Sequence, residues 1–398
     1  MSSLTARRRV LPPGLVRMWV CLWACLWACA CGTAFAADAP QKAPTIGDLV
    51  RKAPVAAPKH TSAAPDAAKA MDNYRRFLQL QRTDPNLRAE AMRRLGDLNQ
   101  ESDRIDSLDK DLSQVDVNSV EAIRLYTLLL KLYPDYARND QVLYQMARAY
   151  EATSKPEQAL ATLDELISRY PGTRMLDEVQ FRRGELLFSA RDYRQAAAAY
   201  AMVIKLGPAS GFYTQSLYKH GWSLFKESLN EDSLPSFAGV LDQQLLHGVA
   251  GGPLQPLEQL SRANRELVDD TLRVMSIAFS YMDGARSVDA FLANRGSPAY
   301  AYLLYSRLGD LYVEKQRYQD AAGAYRAFVG RDPDNGHAPD LAMQAIEAST
   351  KGGFTDLVID GKREYAAHYD FNDPFWKGRA RTDYPVVVRP LQTNLRDL

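Results

Sequence analysis

Residues 140–208 read DQVLYQMARAYEATSKPEQALATLDELISRYPGTRMLDEVQFRRGELLFSARDYRQAAAAYAMVIKLGP. One pattern occurs here twice. In the first copy Leu143, Met146, Ala147 and Tyr150 share a helix face. Ala159, Leu163 and Leu166 share the face of a second helix, which stops at Pro171. The second copy holds Gln180, Arg183, Gly184 and Leu187, then Ala196, Tyr200 and Val203, then Pro208. Every landmark is displaced by 37 residues. Self-similarity at such a period predicts a stack of supersecondary units, each too small to bury its own faces.

The spacing has a physical reason. In each copy 12 residues separate the small residue of the first helix (Ala147, Gly184) from that of the second (Ala159, Ala196). Small side chains let two antiparallel helices approach closely, and larger residues one turn away fill the gap. The proline lacks an N–H, so the second helix ends near it.

Outward from this stretch the register continues. Upstream, Ala122, Tyr126, Leu129 and Pro134 supply another second helix, and Tyr133-Pro134 closes it as Tyr170-Pro171 closes the next. Downstream, Leu217, Gly221, Leu224, Ser233, Phe237 and Val240 form a third copy without its proline. A Gly/Pro-rich loop follows at His247–Pro256. A long helix is expected over Leu257–Met282, broken by Asp283-Gly284, with a short partner at Ser287–Asn294. The fullest copy is Tyr305, Leu308, Gly309, Tyr312, Ala321, Tyr325 and Pro333. Leu341–Ala348 and Phe354–Tyr369 predict one more pair. The tail, with Trp376 and the β-prone Val386-Val387-Val388 between prolines, is expected to lie as a cap or arm across the last helices.

The landmarks at 305–333 match W-x2-L-G-x2-Y, A-x3-F, P with aromatic-for-aromatic exchanges. They resemble the tetratricopeptide repeat. The resemblance covers 122–240 and 302–333 and implies an all-α, right-handed superhelical solenoid. The period, the Tyr-Pro closures and the N-terminal segment are similar to those of bacterial envelope repeat proteins. Examples are those serving outer-membrane β-barrel assembly, Tol-linked cell-wall synthesis and TonB systems. That similarity implies a non-enzymatic scaffold or adaptor for an envelope protein or peptide segment. A regulator of a cell-wall or outer-membrane assembly enzyme, or a self-associating structural element, remains an alternative.

Four segments are expected. Residues 1–36 read as an export signal: Arg7, Arg8, Arg9 and Arg17, a short apolar run from Met18 to Ala30, and Ala34-Phe35-Ala36 as an A-x-A cleavage site. The competing reading is lipid attachment at Cys29 or Cys31, which would tether the chain to the outer membrane. Residues 37–69, rich in Ala and Pro, read as an extended linker. Residues 70–336 form the solenoid, and 337–398 a terminal helix pair with its tail. Cleavage at Ala36 removes all four cysteines, so the mature periplasmic chain folds without disulfides. It also removes four arginines and no acid, leaving 45 basic against 48 acidic residues, a net −3. A weakly acidic chain is a poor nucleic-acid binder by bulk charge.

No catalytic motif, metal-ligand spacing or cofactor fingerprint stands out. His60, His220, His247, His337 and His368 are scattered, and His220, beside Gly221 on a repeat helix, reads as a packing residue. Asp269-Asp270, Asp332-Pro333-Asp334 and Arg182-Arg183 read as solvated faces and turn chemistry. The functional expectation rests instead on the groove lined by the first helices. Projection from Leu143, Gln180 and Leu217 places Gln141, Tyr144, Arg148, Phe181, Glu185, Phe188, Tyr218, Trp222 and Phe225 there. Rings bury large area at small entropic cost, which suits a peptide-binding surface. The alternative is that they pack against the next repeat or against the chain's own linker at residues 37–69.

Overall fold

The computed structural model describes residues 64–107, 117–249 and 251–398. The expected signal, the acylation candidates and most of the expected linker lie outside these residues. Among the described residues there are sixteen α-helices, three short 3-10 turns and no strand. The described residues form one compact unit.

After α1 (Ala64–Leu80) come seven consecutive pairs: α2 (Pro85–Ser107) with α3 (Val117–Leu132), α4 (Asn139–Ala152) with α5 (Pro156–Arg169), and α6 (Leu176–Ser189) with α7 (Tyr193–Leu206). Then follow α8 (Tyr213–Lys226) with α9 (Asn230–Leu245), α10 (Arg262–Tyr281) with α11 (Ala285–Arg295), α12 (Ala301–Glu314) with α13 (Tyr318–Arg331), and α14 (Ala338–Lys351) with α15 (Thr355–His368). Each helix packs on the next, and α16 (Pro385–Asp397) covers α14 and α15.

The small residues sit where the register puts them. A Cβ added to Gly184 would stand 2.6 Å from the Tyr200 ring, and one at Gly221 2.8 Å from Phe237. Those rings, with Tyr126 and Tyr305, are fully buried. The turn inside each pair is equally regular. Ser154, Arg191, Ser228, Gln316 and Gly353 all have positive φ, and the first three are 37 residues apart. Each ends its helix with two reversed hydrogen bonds: Ser154 N–H to Glu151 O and Lys155 N–H to Tyr150 O, and likewise at the four other turns. This is the left-handed cap that satisfies the last carbonyls of a helix. Between repeats, Thr173 donates to Asp140 and Ser210 to Asp177, at 2.8 and 2.7 Å. Donor and acceptor both shift by 37 residues.

Three expectations are corrected. The first helix begins at Ala64 rather than Ala70, with Pro65 in its first turn, where a missing N–H costs nothing. The long tenth helix starts at Arg262, capped by Ser261, which accepts from Asn264 N–H; a 3-10 turn holds Leu257–Gln259. Val386–Val388, expected as extended, is helical. Val387, Leu391 and Asn394 recur at helical spacing and are buried, so packing overrides β-propensity. The tail does lie across the last helices. Trp376 is buried there and donates its indole N–H to Tyr369 O at 3.1 Å.

Candidate partner-binding face

The expected groove residues lie on α4, α6 and α8, the first helices of three successive repeats. They divide into two groups. Gln141 is exposed and Arg148 half-buried, the latter donating to Gln145 Oε1 at 3.3 Å. Tyr144 is buried, which corrects its place on the face. Its hydroxyl donates to Glu178 and accepts from Arg182 Nε at 2.8 Å, while the Arg182 guanidinium stands 5.6 Å from its ring centre. Burial, then the Glu178 bond, pushes the Tyr144 phenol up to about 12. Arg182 also reaches Glu151 at 3.6 Å. Tyr144, Glu178, Arg182 and Glu151 thus clamp the α4 repeat to the α6 repeat. Glu185 is not free either. It accepts the Tyr200 hydroxyl proton and pairs with Lys219 at 2.9 Å.

The five rings of α6 and α8 behave differently. Phe181, Phe188, Tyr218, Trp222 and Phe225 are all half-buried, each with one side against the core. Phe181 stacks on Phe212 at 5.0 Å, and Phe188 meets Tyr193 edge-on at 5.2 Å with Lys219 Nζ 5.1 Å from its centre. Trp222 stands edge-on to Phe225 at 5.6 Å and to Phe237 at 6.3 Å. Tyr218 donates its hydroxyl proton to Asp270, and Phe225 stacks on Tyr281 at 6.2 Å. The inner faces therefore pack on their own and the following repeat, and the five rings stand along α6 and α8 as an aromatic strip. A cleft of about 340 Å³ opens at its start, walled by Phe181, Phe212, Glu185 and Glu151 with Ser189 at the edge.

Sequence reasoning missed Glu151, Glu178, Phe212 and Tyr281, and read Asp270, the acceptor of the Tyr218 hydroxyl, as a solvated acid. The first two lie on repeat helices, where an acid reads as solvated. Phe212 precedes α8 in the place held by Arg138 and Met175 in the earlier repeats, a place with no fixed residue type, and Tyr281 belongs to the repeat whose register drifts. His220, half-buried, bonds Ser236 Oγ through Nδ1 at 2.7 Å, and burial pushes its imidazole down toward the neutral form. No group of three or more His, Cys, Asp or Glu is placed to hold a metal ion among the described residues.

With this geometry in view the comparisons are direct. Residues 141–173 and 178–210 match one tetratricopeptide repeat family model, and residues 280–336 match another. The chain carries tetratricopeptide repeats. No curated protein matches it. Similar solved structures include a tetratricopeptide repeat protein from Parabacteroides merdae: 13% identity, 75% of this chain and 98% of that one, TM-score 0.34. PilW, described as a widely conserved type IV pilus biogenesis factor, shares 12% identity over 64% of this chain and 98% of its own, TM-score 0.27. Yeast Tom70 shares 12% over 84% of this chain and 60% of its own, TM-score 0.33. Superposition at these scores is too loose to equate single positions, so no residue's role is carried across. Repeats of this family make the chain a protein–protein interaction scaffold.

Proposed function

We propose that this scaffold works without catalysis in the bacterial envelope, holding a partner protein or peptide segment against the aromatic strip of α6 and α8. The strip carries the proposal. Five half-buried rings are anchored on their inner faces, so their outer faces are rigid and bury area at little entropic cost. The charged flank is mixed, with Lys219, Lys226 and Arg273 near the rings and Glu185 and Asp270 beside them. Such a flank favours orientation of a polar-edged segment over bulk attraction of one charge sign. The arginine-led apolar start and its A-x-A site support export, and the net −3 of the processed chain speaks against nucleic acid as the partner.

The test is capture with crosslinking in native envelopes. Ser189 is exposed at the cleft's edge, so Ser189→Trp covers the start of the strip without disturbing the core. The wild-type chain should retain a defined partner, and the variant should lose it while melting at the same temperature. Equal capture by both chains would remove the strip from the proposal. Mass spectrometry of the native protein checks the location: a chain beginning at Ala37, or an acylated Cys29 or Cys31, agrees with export, and an intact Met1 does not.

A further inference from the structure

A second cleft, of about 980 Å³, opens between α9 and α11. It exists because the α10–α11 unit is degenerate. Helix α11 buries only Val288 and Leu292, and α10 bypasses it to pack directly on α12. The turn that sets this spacing is built rather than loose. Gly284 holds φ of +60°, and a Cβ there would stand 2.8 Å from the Tyr312 hydroxyl. The second helix of the unit is thereby displaced, leaving a gap beside α9.

The floor of the gap is apolar, from Leu234, Pro235, Met282 and Phe291. Phe291 is fixed edge-on against Phe279 at 6.0 Å. The rim is acidic. Glu231 and Asp232, in the first turn of α9, have no ion-pair partner among the described residues, and Asp283 meets only the exposed Arg286, at 3.0 Å. The one cation of the lining, Arg295, is held by Asp242, which also accepts the Tyr300 hydroxyl at 2.7 Å. The two acids at the start of α9 favour that helix's own dipole, but this leaves their carboxylate oxygens open to a ligand. At one edge stands Tyr281, 65% exposed.

We propose that this cleft, which meets the end of the aromatic strip at Tyr281, is a second docking site, for a cationic amphipathic helix of a partner. Its apolar side chains would enter between α9 and α11, and its lysines or arginines would meet Glu231, Asp232 and Asp283. Charge complementarity selects this occupant. An acidic or neutral segment of the same shape would leave the carboxylates unpaired against it. The apolar floor separates it from a merely basic, unstructured tail, which would gain the Coulomb attraction alone.

The experiment uses the full chain and a fluorescein-labelled peptide of leucine and lysine at helical spacing. Controls are the same peptide with glutamate for lysine, and polylysine of equal charge. The leucine–lysine peptide should bind and the glutamate peptide should not. Polylysine should bind about tenfold more weakly, and all binding should fall with salt. Glu231→Gln with Asp232→Asn should weaken the leucine–lysine peptide about tenfold and flatten its salt dependence. Ala290→Trp, at an exposed position of the lining, should block it without lowering the melting temperature. Ser189→Trp, in the other cleft at the start of the strip, should leave it unchanged. Unaltered binding to Ala290→Trp, equal binding of polylysine, or loss through Ser189→Trp would each overturn the proposal.

Discussion

At Gly184 the repeat shows its smallest working part. Tyr200 lies over the glycine and gives its hydroxyl proton to Glu185, the next residue. The same three residues recur as Gly96, Asp97 and Tyr126, and as Gly309, Asp310 and Tyr325, with hydroxyl–carboxylate distances of 2.8 Å. Where the acid is missing, at Gly221-Trp222, the ring is Phe237, which has no hydroxyl to satisfy. The association was present in the sequence, yet Glu185 read as a groove residue, because projection along a helix gives direction and not partner. Gly184→Leu or Gly221→Leu should cost about 1–3 kcal/mol or more by overpacking, since neither ring has room to retreat. Ser189→Leu should be mild. Denaturant midpoints of the three variants check this, and equal midpoints would refute the pairing. Tyr200→Phe should cost about 1 kcal/mol, the net worth of one bond to a charged acceptor that keeps Lys219.

Elements were legible in proportion to the regularity of their repeats. Landmarks from 122 to 240 and from 305 to 333 placed nine helices, α3 to α9 with α12 and α13, because the tight helix–helix contacts fix small residues at set intervals. The left-handed turns were not foreseen, since Ser154, Arg191, Ser228 and Gln316 include no glycine or asparagine, the residues that mark such a turn. Their position is dictated by the cap and not by the side chain that fills it. A non-glycine there carries strain of about 1 kcal/mol. Arg191→Gly and Ser228→Gly should therefore stabilise by up to about that amount, less the entropy glycine loses on folding, and Gly353→Ala should destabilise by a similar amount. Urea midpoints with unchanged slopes are the readout; a loss at Arg191→Gly would show the cap to be side-chain driven. The valine run of the tail, though not the tail's place, misled for another reason. A β-branched run between prolines reads as extended, and only the buried partners on α14 and α15 make a helix there the better solution.

Over the whole described stack, stability is spread through many buried phenols. Tyr126, Tyr200, Tyr300, Tyr305 and Tyr325 are all pushed up, first by burial and then by the carboxylates that accept their protons. Because the folded pKa values lie above the unfolded value of 10.0, this stability is complete below pH 10 and declines as pH rises beyond it. At the acid end, burial would raise Glu90, but the bonds from Arg93 and Tyr136 outweigh it and hold the carboxylate at about 2. Its contribution is present above pH 4.5 and lost as pH falls toward 2. Melting temperature against pH should thus show a plateau with a steep alkaline edge, and Tyr144→Phe with Tyr200→Phe should move that edge upward. An edge that stays in place would assign it to other groups.

The bypass of α11 has a consequence for how such a gene can change. Since α10 lies directly on α12, the chain leaves the stack at Gly284 and re-enters near Tyr300, whose ring is buried. Gly296, at φ of +86°, lies in the exposed run 293–297 of that excursion. A foreign domain spliced there would be carried outside the pile of helices, and the units on either side would keep their neighbours. The same insertion at Gly207 would pry α7 from α8, which pack closely. Secretion and solubility of the two fusions would tell them apart, and the first position is where this scaffold can acquire a new module without being rebuilt.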